Sequence, residues 1–248
     1  MRSLLKITCI IGCFLACTTT TNAQLYNVDF IRNNTPTFAS FLVPHFNPFF
    51  GLGYVYPNKS LDEVAEGSQF YNEEFKSAKV ATVKKDFKAR YNAFFDEMEV
   101  QNGKTNGWLN KAIFIGQSIT TEDDKTYKIL DANKDIKELD LGYYEVLLDN
   151  KNVSLYKKNN KKISVGMEKS QYMTPAPEVI IEYAPKRTDF YVEFKNDGNA
   201  NKLSRTRRGV SKLFGDKREV VLTYIKKNKL DVTEEEDIKK VIEYINTL

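Results

Sequence analysis

Residues 87–100 read FKARYNAFFDEMEV, and the way this stretch folds decides the architecture. Phe87, Tyr91, Phe94, Phe95 and Met98 fall at helical spacing and would line one face of a helix. At period two, Phe87, Ala89, Tyr91, Ala93 and Phe95 share one face of a strand instead. Periodicity alone favours the helix slightly. A strand would put Asp96 on one face and Glu97 with Glu99 on the other. Such alternation is a poor way to assemble a paired-carboxylate catalytic site from one segment.

The surrounding text is mostly strand and turn. Short apolar or alternating runs occur in KSAKVATV (76–83), KAIFIG (111–116) and KTYKILD (125–131). The clearest signal is YYEVLLDNKNVSLYKKNNKKISVG (143–166), where Asx-rich turns separate β-rich runs. EVIIEYA and TDFYVEFK add another pair around Pro185-Lys186-Arg187. Connections this short make neighbours antiparallel. Near the C-terminus the period changes. Val221, Leu222 and Ile225, then Ile238, Val241, Ile242 and Ile245, mark two helical faces. Asp216 is placed to cap the first helix, and Thr233 with Glu236 forms a capping box for the second.

EGSQFYNEEFKSAKV, ARYNAFFDEMEV, YYEVLLDNKNVSLYKK and IKKNKLDVTEEEDIKKVIEYIN occur in this order. Together they resemble a group of exported proteins of unknown function from Bacteroidetes-type (flavobacterial) bacteria. The resemblance runs from Glu66 onward and implies that 87–100 is a strand in a meander. It brings no enzymatic signature. The expected fold is α+β: an antiparallel β-meander of about eight strands, judged from hairpin spacing, with a C-terminal helical pair packed on it. An open half-barrel and a sandwich both satisfy the pattern.

The chain opens MRSLLKITCIIGCFLACTTTTNAQ. Arg2 and Lys6, the apolar run Ile7–Cys17 and the small residues before Gln24 read as an export signal cut after Ala23. Phe14-Leu15-Ala16-Cys17 competes as a lipoprotein signal that would lipidate Cys17, the less favoured reading. All three cysteines (Cys9, Cys13, Cys17) lie in this segment, so a chain cut at Ala23 has no disulfide, thiolate zinc ligand or cysteine nucleophile. The expected organisation is signal 1–23, an aromatic and Pro-rich arm 24–66, a sheet region 67–204 and a helical region 205–248. The arm segment 36–57 is expected to lack regular structure, because its prolines deny backbone donors. It is either laid on the core or exposed as an aromatic surface around His45 and Phe46.

Catalytic motifs are thin. His45 is the single histidine and stands between Pro44 and Phe46, with no orienting partner in view. DANKDIKELDLG (131–142) begins at calcium-loop spacing but has Ile136 where Gly is needed and Gly142 where a bidentate Glu is needed. No catalytic residue, metal ligand or cofactor is assigned. The one asymmetry is electrostatic: residues 202–229 carry ten Lys and Arg against Asp216 and Glu219, followed by an acidic stretch at 231–248. Arg205, Arg207, Arg208 and Lys212 are the strongest candidates for gripping an anionic surface. The plain alternative is a solvated face neutralised by the acidic helix that follows.

The expected function is therefore an exported, non-catalytic binding protein of the envelope. Its partner would be an anionic envelope component, or an apolar ligand in the sheet's concavity or on the arm. A hydrolase of surface polymers is the alternative. Nucleic acid is not expected, and the mature chain has no segment fit for a transmembrane helix.

Overall fold

The computed structural model describes residues 31–32, 45–47, 51–53, 65–83, 87–102, 105–132, 139–167 and 179–248. The export signal, most of the arm and the centre of the calcium-like stretch lie outside them.

The stretch at 87–100 is neither a helix nor one continuous strand. It is a hairpin of β5 (Phe87–Asn92) and β6 (Glu97–Asn102), with Arg90 opposite Glu99 and Tyr91 opposite Met98. Asn92 makes the turn, its side-chain oxygen accepting from the amides of Phe94 (3.2 Å) and Phe95 (3.0 Å). Such Asx contacts compete with helix formation. Asp96 closes the turn at φ 56°, a conformation Asp tolerates better than most residues. Asp96 thus stands in the turn and not on a strand face, while Glu97 and Glu99 do share a side.

β5 and β6 belong to a sheet that also contains β1 (Ile31–Arg32), β4 (Lys76–Val80), β7 (Thr105–Leu109), β8 (Ser118–Thr121) and β9 (Thr126–Asp131). β10 (Leu141–Leu148), β11 (Val153–Lys158), β14 (Asp189–Phe194) and β15 (Asn201–Lys202) complete it. The eleven strands run in the order β1-β7-β6-β5-β4-β8-β9-β10-β11-β14-β15, every pairing antiparallel. The fold is α+β, and the sheet curls into an open half-barrel, not a sandwich. Two hairpins stand apart from it: β12 (Lys161–Met167) with β13 (Val179–Pro185), and β2 (His45–Asn47) with β3 (Gly51–Gly53). The second corrects the expectation that 36–57 lacks regular structure. Its six paired residues include no proline, so every one keeps its backbone donor.

The chain order explains the curl. β4 to β7 run outward as a meander, and the chain then returns so that β8 pairs with the other edge of β4. The return, Asn110–Gln117, contains a 3₁₀ turn at Lys111–Ile113 and buries Phe114. Ala78, Tyr91, Met98, Val100, Leu109, Ile119, Ile129 and Tyr143 meet in one core, so strands distant in sheet order face each other across the concave side.

A second core joins Leu155, Phe190 and Val192 of the sheet to the C-terminal helices α1 (Arg207–Lys212), α2 (Arg218–Lys227) and α3 (Glu235–Thr247). The expected pair is present, preceded by the short α1. The caps differ from expectation. Lys217 and Glu234 occupy the N-cap positions of α2 and α3 without side-chain cap bonds. Thr233 spends its amide and hydroxyl on Asp231 (2.9 and 2.8 Å), and Asp237 accepts from the amide of Asp231 at 3.0 Å. The loop before α3 is therefore held by Asp231 and Asp237 in place of a Thr233–Glu236 box.

A cationic helical face and a sunken carboxylate–lysine cluster

The basic segment divides into committed and uncommitted cations. Arg205 donates to Asp189 (2.7 Å) and to the Thr188 carbonyl (2.5 Å), and Lys202 donates to the same carboxylate at 2.6 Å. Burial alone would raise the Asp189 carboxyl. The two cations outweigh it and hold the group below its ordinary value. Arg207 is exposed but tethered, its Nε donating to the Leu230 carbonyl at 3.0 Å. These three tie the chain before and within α1 to the rest of the molecule.

Arg208 and Lys212 sit one turn apart on the solvent side of α1. With Lys217, Lys226, Lys227 and Lys229 they are exposed and, among the described residues, paired with no carboxylate. The acids of α3 do not neutralise them. Glu235 reaches Lys157 at 3.0 Å and Lys239 at 2.9 Å, Glu236 reaches Lys239 at 3.0 Å, and Asp237 reaches Lys240 at 3.0 Å. The first turn of the acidic helix thus spends its charge on its own lysines and on the sheet.

Of the residues singled out in the sequence, Arg208 and Lys212 thus share an open face, whereas Arg205 and Arg207 have structural duties. His45 pairs with Gly53 and Phe46 with Leu52 in the small separate sheet.

The cavity among Ala89, Tyr91, Met98, Thr121 and Tyr127 measures only about 20 Å³, room for roughly one water. A second, more open pocket of about 300 Å³ lies among Gly67, Gln69, Phe70, Glu73, Arg90 of β5 and Tyr183 of β13.

A constellation that the sequence did not flag lies where the β5–β6 turn meets β10 and β11. Asp96 Oδ1 accepts from the Tyr91 hydroxyl at 2.6 Å and from the Tyr143 amide at 3.3 Å. Asp96 Oδ2 lies 2.8 Å from Lys158 Nζ and 3.9 Å from Lys111 Nζ. Lys111 is also 3.5 Å from Glu97 Oε1, so the returning connection places one cation over two adjacent carboxylates. Burial, reinforced by Asp96, pushes the Tyr91 phenol well above its ordinary value and keeps it a donor. The approach depends on Gly142, because a Cβ there would stand 2.3 Å from Lys158 Nζ and 2.9 Å from Asp96 Oδ2. Hydrolytic chemistry needs a carboxylate ready to exchange a proton with substrate. Here Asp96 and Glu97 are both engaged by lysines. The available hint in the sequence was Asn92 and Asp96, two turn-forming residues four apart within an apolar run.

No family model matches the chain, and no curated protein or solved structure matches it.

Proposed function

We propose that this is an exported, non-catalytic envelope protein that attaches to an anionic surface through the outer side of α1 and α2. The observation carrying this reading is that Arg208, Lys212, Lys217, Lys226, Lys227 and Lys229 are exposed without carboxylate partners among the described residues. Uncompensated cations on a rigid scaffold attract phosphate or carboxylate groups at the cost of little reorganisation. Val220, 47% exposed on the same helix, adds an apolar contact. The basic start and apolar run of residues 1–23 support export. No helix among the described residues is long and apolar enough to cross a membrane, so attachment to the surface is the mode the reading assigns.

The test is sedimentation with vesicles of anionic phospholipid against vesicles of neutral phospholipid. Each cation near such a surface contributes about 1 kcal/mol. Changing Lys212, Lys226, Lys227 and Lys229 together to Gln should abolish co-sedimentation with the anionic vesicles. Changing Arg205, an internal tether, should affect folding stability more than binding at equal folded protein. Binding that survives molar salt, or that ignores lipid charge, would defeat the reading.

A further inference from the structure

We propose that Asp96 and Lys158 condense to form an intramolecular amide that locks the mouth of the half-barrel. This goes beyond surface attachment and does not depend on it.

The geometry is that of an amine held against a carboxyl with donors on the far oxygen. Lys158 Nζ lies 2.8 Å from Asp96 Oδ2, and their side chains are only 17% and 15% exposed. The opposite oxygen, Oδ1, receives the Tyr91 hydroxyl and the Tyr143 amide. Two donors at that position stabilise the negative charge that develops on a carbonyl oxygen when a nucleophile adds to the adjoining carbon. Lys111 Nζ, 3.9 Å from Oδ2, places a second cation beside the leaving oxygen. The Lys158 ammonium also rests over the Tyr144 ring, 4.6 Å from its centroid, which fixes the direction of its approach. Held in this way the reaction is intramolecular, with the large effective concentration such orientation confers.

The step balances without another reactant. A proton passes from the Lys158 ammonium to the Asp96 carboxylate, and the freed amine pair attacks Cγ. The Cγ–Oδ2 bond then breaks and Oδ2 leaves as water, carrying two of the three ammonium protons. The third stays on the amide nitrogen, both charges disappear, and nothing is oxidised or reduced.

The location suits a staple. Asp96 sits in the β5–β6 turn and Lys158 ends β11, and four strands (β4, β8, β9 and β10) separate β5 from β11 in the sheet. The link would therefore tie the β5–β6 turn across the curl to the β11–β12 connection, where the Tyr91 hydroxyl lies 3.2 Å from Asn160 Oδ1 and the Lys161 amide donates to the Ala93 carbonyl at 2.8 Å. With every cysteine confined to residues 9–17, such an amide would be a covalent brace independent of sulfur.

The experiment is tryptic peptide mapping by tandem mass spectrometry of the purified full chain, incubated folded at neutral pH. The expected result is a branched peptide joining the Asp96 and Lys158 segments, lighter than their sum by one water. That species should be absent from Lys158→Arg, which keeps the charge but supplies no comparable nucleophile. Circular dichroism of the variant establishes that it has folded. Mapping matters because a succinimide at Asp197-Gly198 would also lose water, without a branch. Unlinked Asp96 and Lys158 peptides alone from the folded wild-type chain would overturn the proposal and leave an ordinary ion pair.

Discussion

Glu193 is 1% exposed, and its two oxygens are fully occupied. Oε2 accepts from Lys128 (2.7 Å) and the Tyr156 hydroxyl (2.5 Å), and Oε1 accepts from the Gly198 amide (2.9 Å). Glu193→Ala would strand a buried ammonium and two further donors, so chemical denaturation should register a loss of about 3–5 kcal/mol. Gly142 supplies a prediction of another kind. The atoms a new Cβ would meet are ends of side chains, chiefly Lys158 Nζ and Asp96 Oδ2. Gly142→Ala should therefore push these two apart while costing only about 1–3 kcal/mol of stability. Peptide mapping of the folded variant should recover Asp96 and Lys158 unlinked.

Among the elements, the helices are secured to the sheet by a few specific polar contacts as well as by apolar packing. A bulge between Val146 and Leu148 interrupts the pairing of β10 with β11. Asn246 near the end of α3 bonds the Val153 backbone twice, accepting from its amide at 3.0 Å and donating to its carbonyl at 2.9 Å. Asn246→Ala should cost about 1–3 kcal/mol in denaturant, while a surface change such as Thr223→Ala should cost far less. Asp189 and Glu235 are the acid-sensitive ties. Burial opposes the ionised form of each, but Lys202 and Arg205, or Lys239 and Lys157, hold their carboxyls below the ordinary values. A depressed folded-state value means stability present above the unfolded value and lost as pH falls through the lower one. Thermal melts taken downward from about pH 5 should fall, and Asp189→Asn should flatten the slope.

The same scale explains what was legible in the sequence. The helical faces of α2 and α3 announced themselves because each apolar stripe has a single period. FKARYNAFFDEMEV misled because its stripe is built from two strands and the turn between them. Phe94 and Phe95 belong to that turn, where their rings meet at 5.1 Å and Phe94 meets Tyr183 at 5.3 Å. The capping box at Thr233 was a sound local inference defeated by Asp231, a nearer competitor for the same hydroxyl. The Asp96 cluster was not readable, because its members come from positions 91, 96, 111, 143 and 158 and meet only once the sheet curls. The basic stretch was visible as composition, but its freedom from neutralisation depends on where the α3 carboxylates point.

For the molecule as a whole, tyrosine ionisation sets the alkaline limit. Burial raises the phenols of Tyr91, Tyr127, Tyr144, Tyr156 and Tyr191, the last to about 12. In the unfolded chain they ionise near 10. Raised folded-state values give stability that is complete below that point and lost as pH climbs toward them. The phenolate absorbance of these five should appear together with loss of the sheet's circular dichroism above about pH 10, as a step separate from the absorbance of the chain's other tyrosines. Ionisation of every tyrosine with the dichroism unchanged would contradict the burial described.

The position of β4 also governs the timing of folding. Its partner across one edge arrives promptly, within the next dozen residues, while the other edge waits for Thr121 to reach Ala78. Early in the search the nascent meander therefore carries an open flank, and the arrival of β8 is one of the long-range closures that topology makes slow. Weakening that junction, by Ile119→Ala for instance, should lengthen the refolding phase more than a change of similar cost in α3.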